Sequence, residues 1–280
     1  MTVPVVRDID GLRKIVRGWH GEGLKVAVVP TMGALHEGHL TLVREGRRRA
    51  GRVLVTIFVN PRQFAPNEDL ARYPRDEEGD LARLALAETS LVFSPPPEIV
   101  YPPGFATTVK VGGPASAGLE DKYRPHFFEG VATIVAKLFI QSEADFAMFG
   151  EKDYQQLMTV TQMARDLDLP TEIVPVRTVR EADGLAMSSR NQYLNRTERQ
   201  QAPALFRTLI QASEKIRAGE APTRVTAAAR RSLTTLGFNV DYVAARNAKT
   251  LAPLESKDES VRLLAAAWLG KTRLIDNVWV

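Results

Sequence analysis

Residues 25–60, KVAVVPTMGALHEGHLTLVREGRRRAGRVLVTIFVN, decide how this chain folds. The runs at 25–30 (KVAVVP) and 52–60 (RVLVTIFVN) are short, apolar and rich in β-branched residues, the pattern of strands buried on both faces of a parallel sheet. Between them Leu40, Leu42, Val43 and the basic residues at 47–49 are spaced as one amphipathic helix. Together they make a βαβ unit.

Working outward, strands are expected at 90–94, 145–149 and 171–176, and helices near 74–88, 129–141 and 153–166. Strands alternating with helices imply a parallel sheet with both faces covered, and ligands then bind beyond the carboxyl ends of the strands. The alternation breaks at 176–194 into a polar segment, VRTVREADGLAMSSRNQYL. Helices at 197–218 and 223–236 follow, then strands at 238–245, 261–269 and 273–275, which is the order of a smaller α+β domain. The expected division is therefore 1–176 and 177–280. The proline-rich SPPPEIVYPPG at 94–104 reads as a stiff surface connection.

A length of 280 residues fits about two domains. The absence of cysteine excludes disulfides, thiolate nucleophiles, cysteine-ligated zinc, iron–sulfur clusters and protein thioesters. With 37 Lys plus Arg against 33 Asp plus Glu, the net charge of +4 is mild and scattered, so no nucleic-acid surface is expected. No apolar window approaches the roughly 18 residues of a membrane span, and the start lacks a leader pattern, so a cytoplasmic protein without a membrane partner is expected.

Two of the four histidines, His36 and His39, fall in PTMGALHEGHL at 30–40, which follows the first strand and opens the next helix. A helix start offers backbone N–H groups to a phosphate, and Gly33 and Gly38 allow close approach. Histidines three apart address one bound group. HEGH is one residue too short for the zinc-protease pattern HExxH, and no metal site is expected. In FVNPRQF at 58–64, Pro61 stops the strand so that Asn60 and Gln63 project from the sheet edge. FGEKDYQQL at 149–157 follows another strand, with Gly150 for the turn, Lys152 as a cation for phosphate and Asp153 placed to cap the next helix. MSSR at 187–190 combines two hydroxyls with a guanidinium, a set suited to a triphosphate and departing pyrophosphate.

HxGH resembles the mark of the nucleotidyltransferase superfamily. Together with FVNPRQF, GEKDYQQL, DGLAMSSRNQYL (183–194) and AAWLGKTRLIDN (266–277), in this order along the whole chain, the set resembles the pantothenate synthetase (pantoate–β-alanine ligase) family. The resemblance implies a Rossmann-like α/β domain at 1–176 that binds ATP and pantoate, with a smaller α+β lid and dimer-associated domain at 177–280. It implies that ATP, with Mg²⁺, activates (R)-pantoate as pantoyl adenylate, and that β-alanine then releases pantothenate and AMP, in a cytoplasmic homodimer.

The resemblance also carries site residues. For ATP they are Met32, Gly33, Ala34, Leu35, His36, Glu37, Gly38, His39, Gly150, Glu151, Lys152, Asp153, Val179, Met187, Ser188, Ser189 and Arg190. Gln63, Gln156 and Asn60 go to pantoate and β-alanine, and His39, His36, Lys152 and Arg190 to catalysis. Where the family usually reads RPGHFxGV, this chain reads RPHFFEGV at 124–131, with His126 for the usual glycine and Phe127 for the usual histidine. His126 is therefore not expected to be catalytic. A transferase that leaves AMP or CMP on its product, or an RNA-binding module, are the alternative readings.

Overall fold

β-branched runs without an exposed face fold into a sheet only if helices cover both sides, and the chain does this in its first half. The computed structural model describes residues 2–65, 68–256 and 258–280. The first half contains β1 (Val5–Val6), α1 (Ile9–Gly21), β2 (Val26–Thr31), α2 (Glu37–Arg49), β3 (Arg52–Ile57), α3 (Glu77–Leu86), β4 (Leu91–Phe93), α4 (Pro97–Val100), α5 (Glu120–Tyr123) and α6 (Phe127–Ser142). There follow β5 (Phe146–Gly150), α7 (Tyr154–Asp166), β6 (Glu172–Val176), α8 (Arg196–Gln201), α9 (Ala204–Arg217), α10 (Pro222–Thr235), β7 (Asn239–Asn247), β8 (Val261–Leu269) and β9 (Thr272–Trp279).

Two compact units result. One comprises Met1–Val111, Arg124–Gly150 and Thr159–Val176, and the other Gly112–Tyr123, Glu151–Met158 and Arg177–Val280. The contiguous division expected from sequence differs here, because 112–123 and 151–158 group with the second unit.

In the first unit six parallel strands lie in the order β1-β4-β3-β2-β5-β6. Val26 to Val29 of β2 are wholly buried, and Ala27 and Val29 share a core with Val53 and Val55 of β3 and Val43 of α2. The chain leaves β2 toward β3 through α2, while β5 pairs with the other edge of β2. Connections therefore diverge between β2 and β5, the topological switch point at which open α/β sheets bind ligands.

In the second unit β7, β8 and β9 form an antiparallel sheet. Alternate residues of β8, Leu263, Ala265, Ala267 and Leu269, pack with Leu205 and Leu209 of α9 and Leu233 of α10. The architecture is thus a Rossmann-like α/β sheet with a smaller antiparallel α+β unit.

Several expected bounds shift for local reasons. β3 ends at Ile57 rather than 60, because Pro61 starts a 3₁₀ turn, Pro61–Gln63, capped by Asn60. The single helix expected at 197–218 is two, α8 and α9, parted at Pro203, which has no N–H to continue the first ladder. The proline-rich segment is not all connection, since Pro97 opens the one-turn α4. Asp153 closes a 3₁₀ turn, Glu151–Asp153, immediately before α7. β9 runs to Trp279, beyond the expected 275.

Candidate active site

The loop that leaves β2 turns sharply, with Gly33 at φ +77° and Ala34 at φ +52°. A left-handed alanine costs of order 1 kcal/mol or more, so surrounding groups must hold it. The carboxylate of Asp80 does so, accepting the Ala34 and Leu35 N–H groups at 2.8 Å each. Thr31 Oγ1 accepts the Gly33 N–H at 3.2 Å and itself donates to the Thr56 carbonyl. A side chain at Gly33 would meet Asp80 Oδ2 at 2.9 Å, so the glycine is needed for this close approach. Asp80 is buried, and desolvation raises its pKa despite the two N–H donors.

His36 and His39 form a capping box at the start of α2. His36 Nδ1 accepts from the Gly38 N–H at 3.1 Å, and His39 Nδ1 accepts from the His36 N–H at 3.3 Å. Their rings lie 4.1 Å apart. This revises the expectation that the helix start offers its backbone N–H groups to phosphate, since those of Gly33, Ala34, Leu35, His36, Gly38, His39 and Leu40 are accepted within the chain. What the caps supply instead is a tautomer. With Nδ1 accepting, each neutral imidazole carries its proton on Nε2, so both rings are donors there.

Asn60 is buried and caps the Pro61–Gln63 turn, and its Nδ2 donates to Gln63 Oε1 at 3.1 Å and to the Gly130 carbonyl at 3.1 Å. Gln63 Nε2 reaches Met32 Sδ at 2.9 Å, which brings Gln63 beside the loop after β2. Gly130 admits this packing: a Cβ there would lie 2.3 Å from the Arg62 carbonyl oxygen. Arg124 holds the same turn, donating to both Glu68 oxygens at 2.7 Å and to the Gln63 carbonyl at 3.2 Å, with Phe127 stacked 3.8 Å from its guanidinium. The departure at 126–127 thus places a ring under Arg124, while His126 is exposed and makes no side-chain cap at the start of α6.

In the second unit the turn Glu151–Asp153 is fixed from β8 and β9. Asn277 Nδ2 donates to the carbonyls of Glu151 and Lys152, at 2.9 Å each, and its Oδ1 accepts from Arg262 Nε at 2.6 Å. Arg262 is 2 % exposed, pairs with Glu151 at 3.1 Å and is stacked on Tyr154 and Trp279 at 4.2 and 4.6 Å. Burial lowers its pKa, and the Glu151 carboxylate opposes that. The Glu151 side chain is therefore a structural partner of Arg262. Lys152 lies 3.6 Å from Asp153. The adjacent glutamines divide similarly: Gln155 is buried, bonded to the Glu120 N–H, the Pro114 carbonyl and Asp121, whereas Gln156 is half-buried.

The polar segment after β6 is a built loop. Arg180 bridges to Ala186, pairs with both Asp276 oxygens at 2.7 and 2.8 Å and stacks on Phe206 at 3.7 Å. The Val179 carbonyl accepts from the Met187 N–H, and Ser188 caps the 3₁₀ turn Ser189–Tyr193 by accepting from the Arg190 N–H. Asp80, Arg262 and Asn277 were not anticipated from sequence. EEGDLARL reads as a solvated helix face, and only the offset of Asp80 from that face toward buried Leu84 hints otherwise. Among the described residues no group of three or more His, Asp or Glu is gathered to hold a metal ion, and no helix is long and apolar enough to cross a membrane.

The raised pKa of Asp80 means that the folded state holds its proton more tightly than the unfolded chain does. Its contribution is then fully present below the ordinary aspartate range of about 4 and is lost as pH rises through the raised folded value. In urea titrations, the stability of the natural chain minus that of Asp80→Asn should fall with pH across this window. A rising difference would show that the two N–H donors, not burial, dominate.

A family model described as pantoate-beta-alanine ligase matches residues 4–279. A pantothenate synthetase from Mesorhizobium japonicum (strain LMG 29417) is 56 % identical over 98 % of this chain and 96 % of its own length. One from Rhodopseudomonas palustris (strain BisB18) is 53 % identical over 99 % and 98 %. The crystal structure of pantothenate synthetase from Thermus thermophilus superposes with a TM-score of 0.91 at 44 % identity, covering 99 % of both chains. The pantoate-beta-alanine ligase of Francisella tularensis, solved in complex with beta-gamma ATP and beta-alanine, does so with a TM-score of 0.83 at 31 % identity, over 99 % of this chain and 97 % of its own. The chain belongs to the pantoate–β-alanine ligase family.

Proposed function

We infer that this chain condenses (R)-pantoate with β-alanine at the expense of ATP, by way of a pantoyl adenylate, to give (R)-pantothenate, AMP and pyrophosphate. The observation that carries the reading is the whole-length likeness to pantothenate synthetases. In the first step a pantoate carboxylate oxygen attacks the α-phosphorus and the bond to the β-phosphate breaks, releasing pyrophosphate. In the second the neutral amine of β-alanine attacks the acyl carbon, AMP leaves with the bridging oxygen, and the amine loses a proton.

Charge builds on phosphate oxygens in the first step. The Nε2–H donors of His36 and His39 are preorganised for it by the capping box, and such donors typically contribute on the order of 10²–10³ each in rate. Lys152 and Arg190 supply cations for phosphate oxygens, Gln63 and Gln156 bind pantoate, and Gln63 then binds β-alanine. Asn60 and Glu151, whose polar atoms are engaged in the fold, act by holding neighbours. Mg²⁺ would enter with ATP as part of the substrate, its shell filled chiefly by phosphate oxygens and water. The resemblance further implies a cytoplasmic homodimer, for which light scattering should give about twice 31.0 kDa.

Pantoate-dependent exchange of label between pyrophosphate and ATP should proceed without β-alanine. An absolute requirement for β-alanine would contradict a discrete adenylate. His39→Ala should depress the exchange at least about tenfold. The lost cap costs about 1 kcal/mol, so the melting temperature should fall only a few degrees. Unchanged exchange would remove His39 from the chemistry.

A further inference from the structure

The proline-rich connection places Tyr101 against the turn that carries Gln63. Its hydroxyl donates to Asn60 Oδ1 at 2.8 Å. The Asn60 amide cannot be turned over, because backbone groups fix both ends: the Arg62 N–H requires the oxygen, at 3.3 Å, and the Gly130 carbonyl requires the nitrogen, at 3.1 Å. Tyr101 facing Oδ1 must therefore donate, and the second Nδ2 hydrogen meets Gln63 Oε1 at 3.1 Å. With Oε1 occupied, Gln63 Nε2 lies on the Met32 side, beside the loop after β2.

We propose that Tyr101 is a positioning residue for substrate binding, acting through Asn60 to hold the Gln63 amide so that it shows its N–H donors. This rests on the reading of Gln63 as a contact to pantoate and β-alanine. An amide held in this way turns its nitrogen, rather than its oxygen, toward an acceptor such as a hydroxyl or a carboxylate. Burial pushes the Tyr101 hydroxyl up to about 12, so it stays a donor throughout the assay range. Its ring is held independently of the hydroxyl by Phe58 at 6.0 Å, Phe105 at 5.1 Å and the Arg62 guanidinium at 5.3 Å. Phenylalanine at this position keeps that packing and removes only the donor.

The test is a double-mutant cycle of Tyr101→Phe and Gln63→Ala, read by pyrophosphate exchange at varied pantoate and varied ATP, with thermal melting of each variant. Tyr101→Phe should raise KM for pantoate roughly 3- to 10-fold, the size of one net hydrogen bond, with KM for ATP and the melting temperature little changed. Gln63→Ala should raise it further, and the double variant should match Gln63→Ala alone. Additive effects, an unaltered KM for pantoate in Tyr101→Phe, or equal changes in both KM values would overturn the relay while leaving Gln63 as a contact. If Gln63→Ala itself keeps the natural KM for pantoate, the reading of Gln63 fails and the relay with it.

Discussion

The pairing of β5 with the free edge of β2 is the constraint from which the first unit's site follows. Because β2 is sandwiched between β3 and β5 and its core residues have no exposed surface, the chain can change direction only beyond Thr31. The loop that carries HEGH therefore leaves the carboxyl end of β2, beside the carboxyl end of β5. A crevice at such a point is open to ligand by topology alone. Its chemistry depends on how the polar backbone exposed there is satisfied.

That backbone is satisfied from within the chain, and buried polar side chains do most of it. Asp80 takes two N–H groups of the loop after β2, Asn60 has contacts on both ends of its amide, and Asn277 holds two carbonyls of the turn that contains Lys152. Removing one partner from such an arrangement costs more than the bond is worth, because the orphaned group stays desolvated. The result is rigidity at the residues next in line: the histidine tautomers follow from their Nδ1 caps, and the Gln63 orientation follows from Asn60. Preorganised donors of this kind are what stabilisation of developing phosphate charge requires.

The parallel sheet, the helices between its strands and the placement of PTMGALHEGHL and FGEKDYQQL at the carboxyl ends of β2 and β5 could be read from 25–60 and its continuation, because buried β-branched runs have a distinctive local pattern. Motif residues that present side chains could be named in the same way. The holding residues could not. Asp80 lies 46 residues from the Ala34 N–H that it accepts, Tyr101 lies 41 from Asn60, and Asn277 lies 125 from the Lys152 carbonyl. Each looks locally like an ordinary polar residue of a helix face, a loop or a strand end, and only tertiary folding reveals its partner. The break at Pro203 is the opposite case, a local signal that the helical periodicity on either side obscures.

In the proposed reaction a carboxylate oxygen of pantoate becomes bonded to the α-phosphorus of ATP. Pantoate labelled with ¹⁸O in both carboxylate oxygens, turned over with ATP and β-alanine, tests it by mass spectrometry of the products. One ¹⁸O is expected in the phosphate of AMP, one in the pantothenate amide carbonyl and none in pyrophosphate. Unlabelled AMP, with the label instead in pyrophosphate or inorganic phosphate, would contradict it.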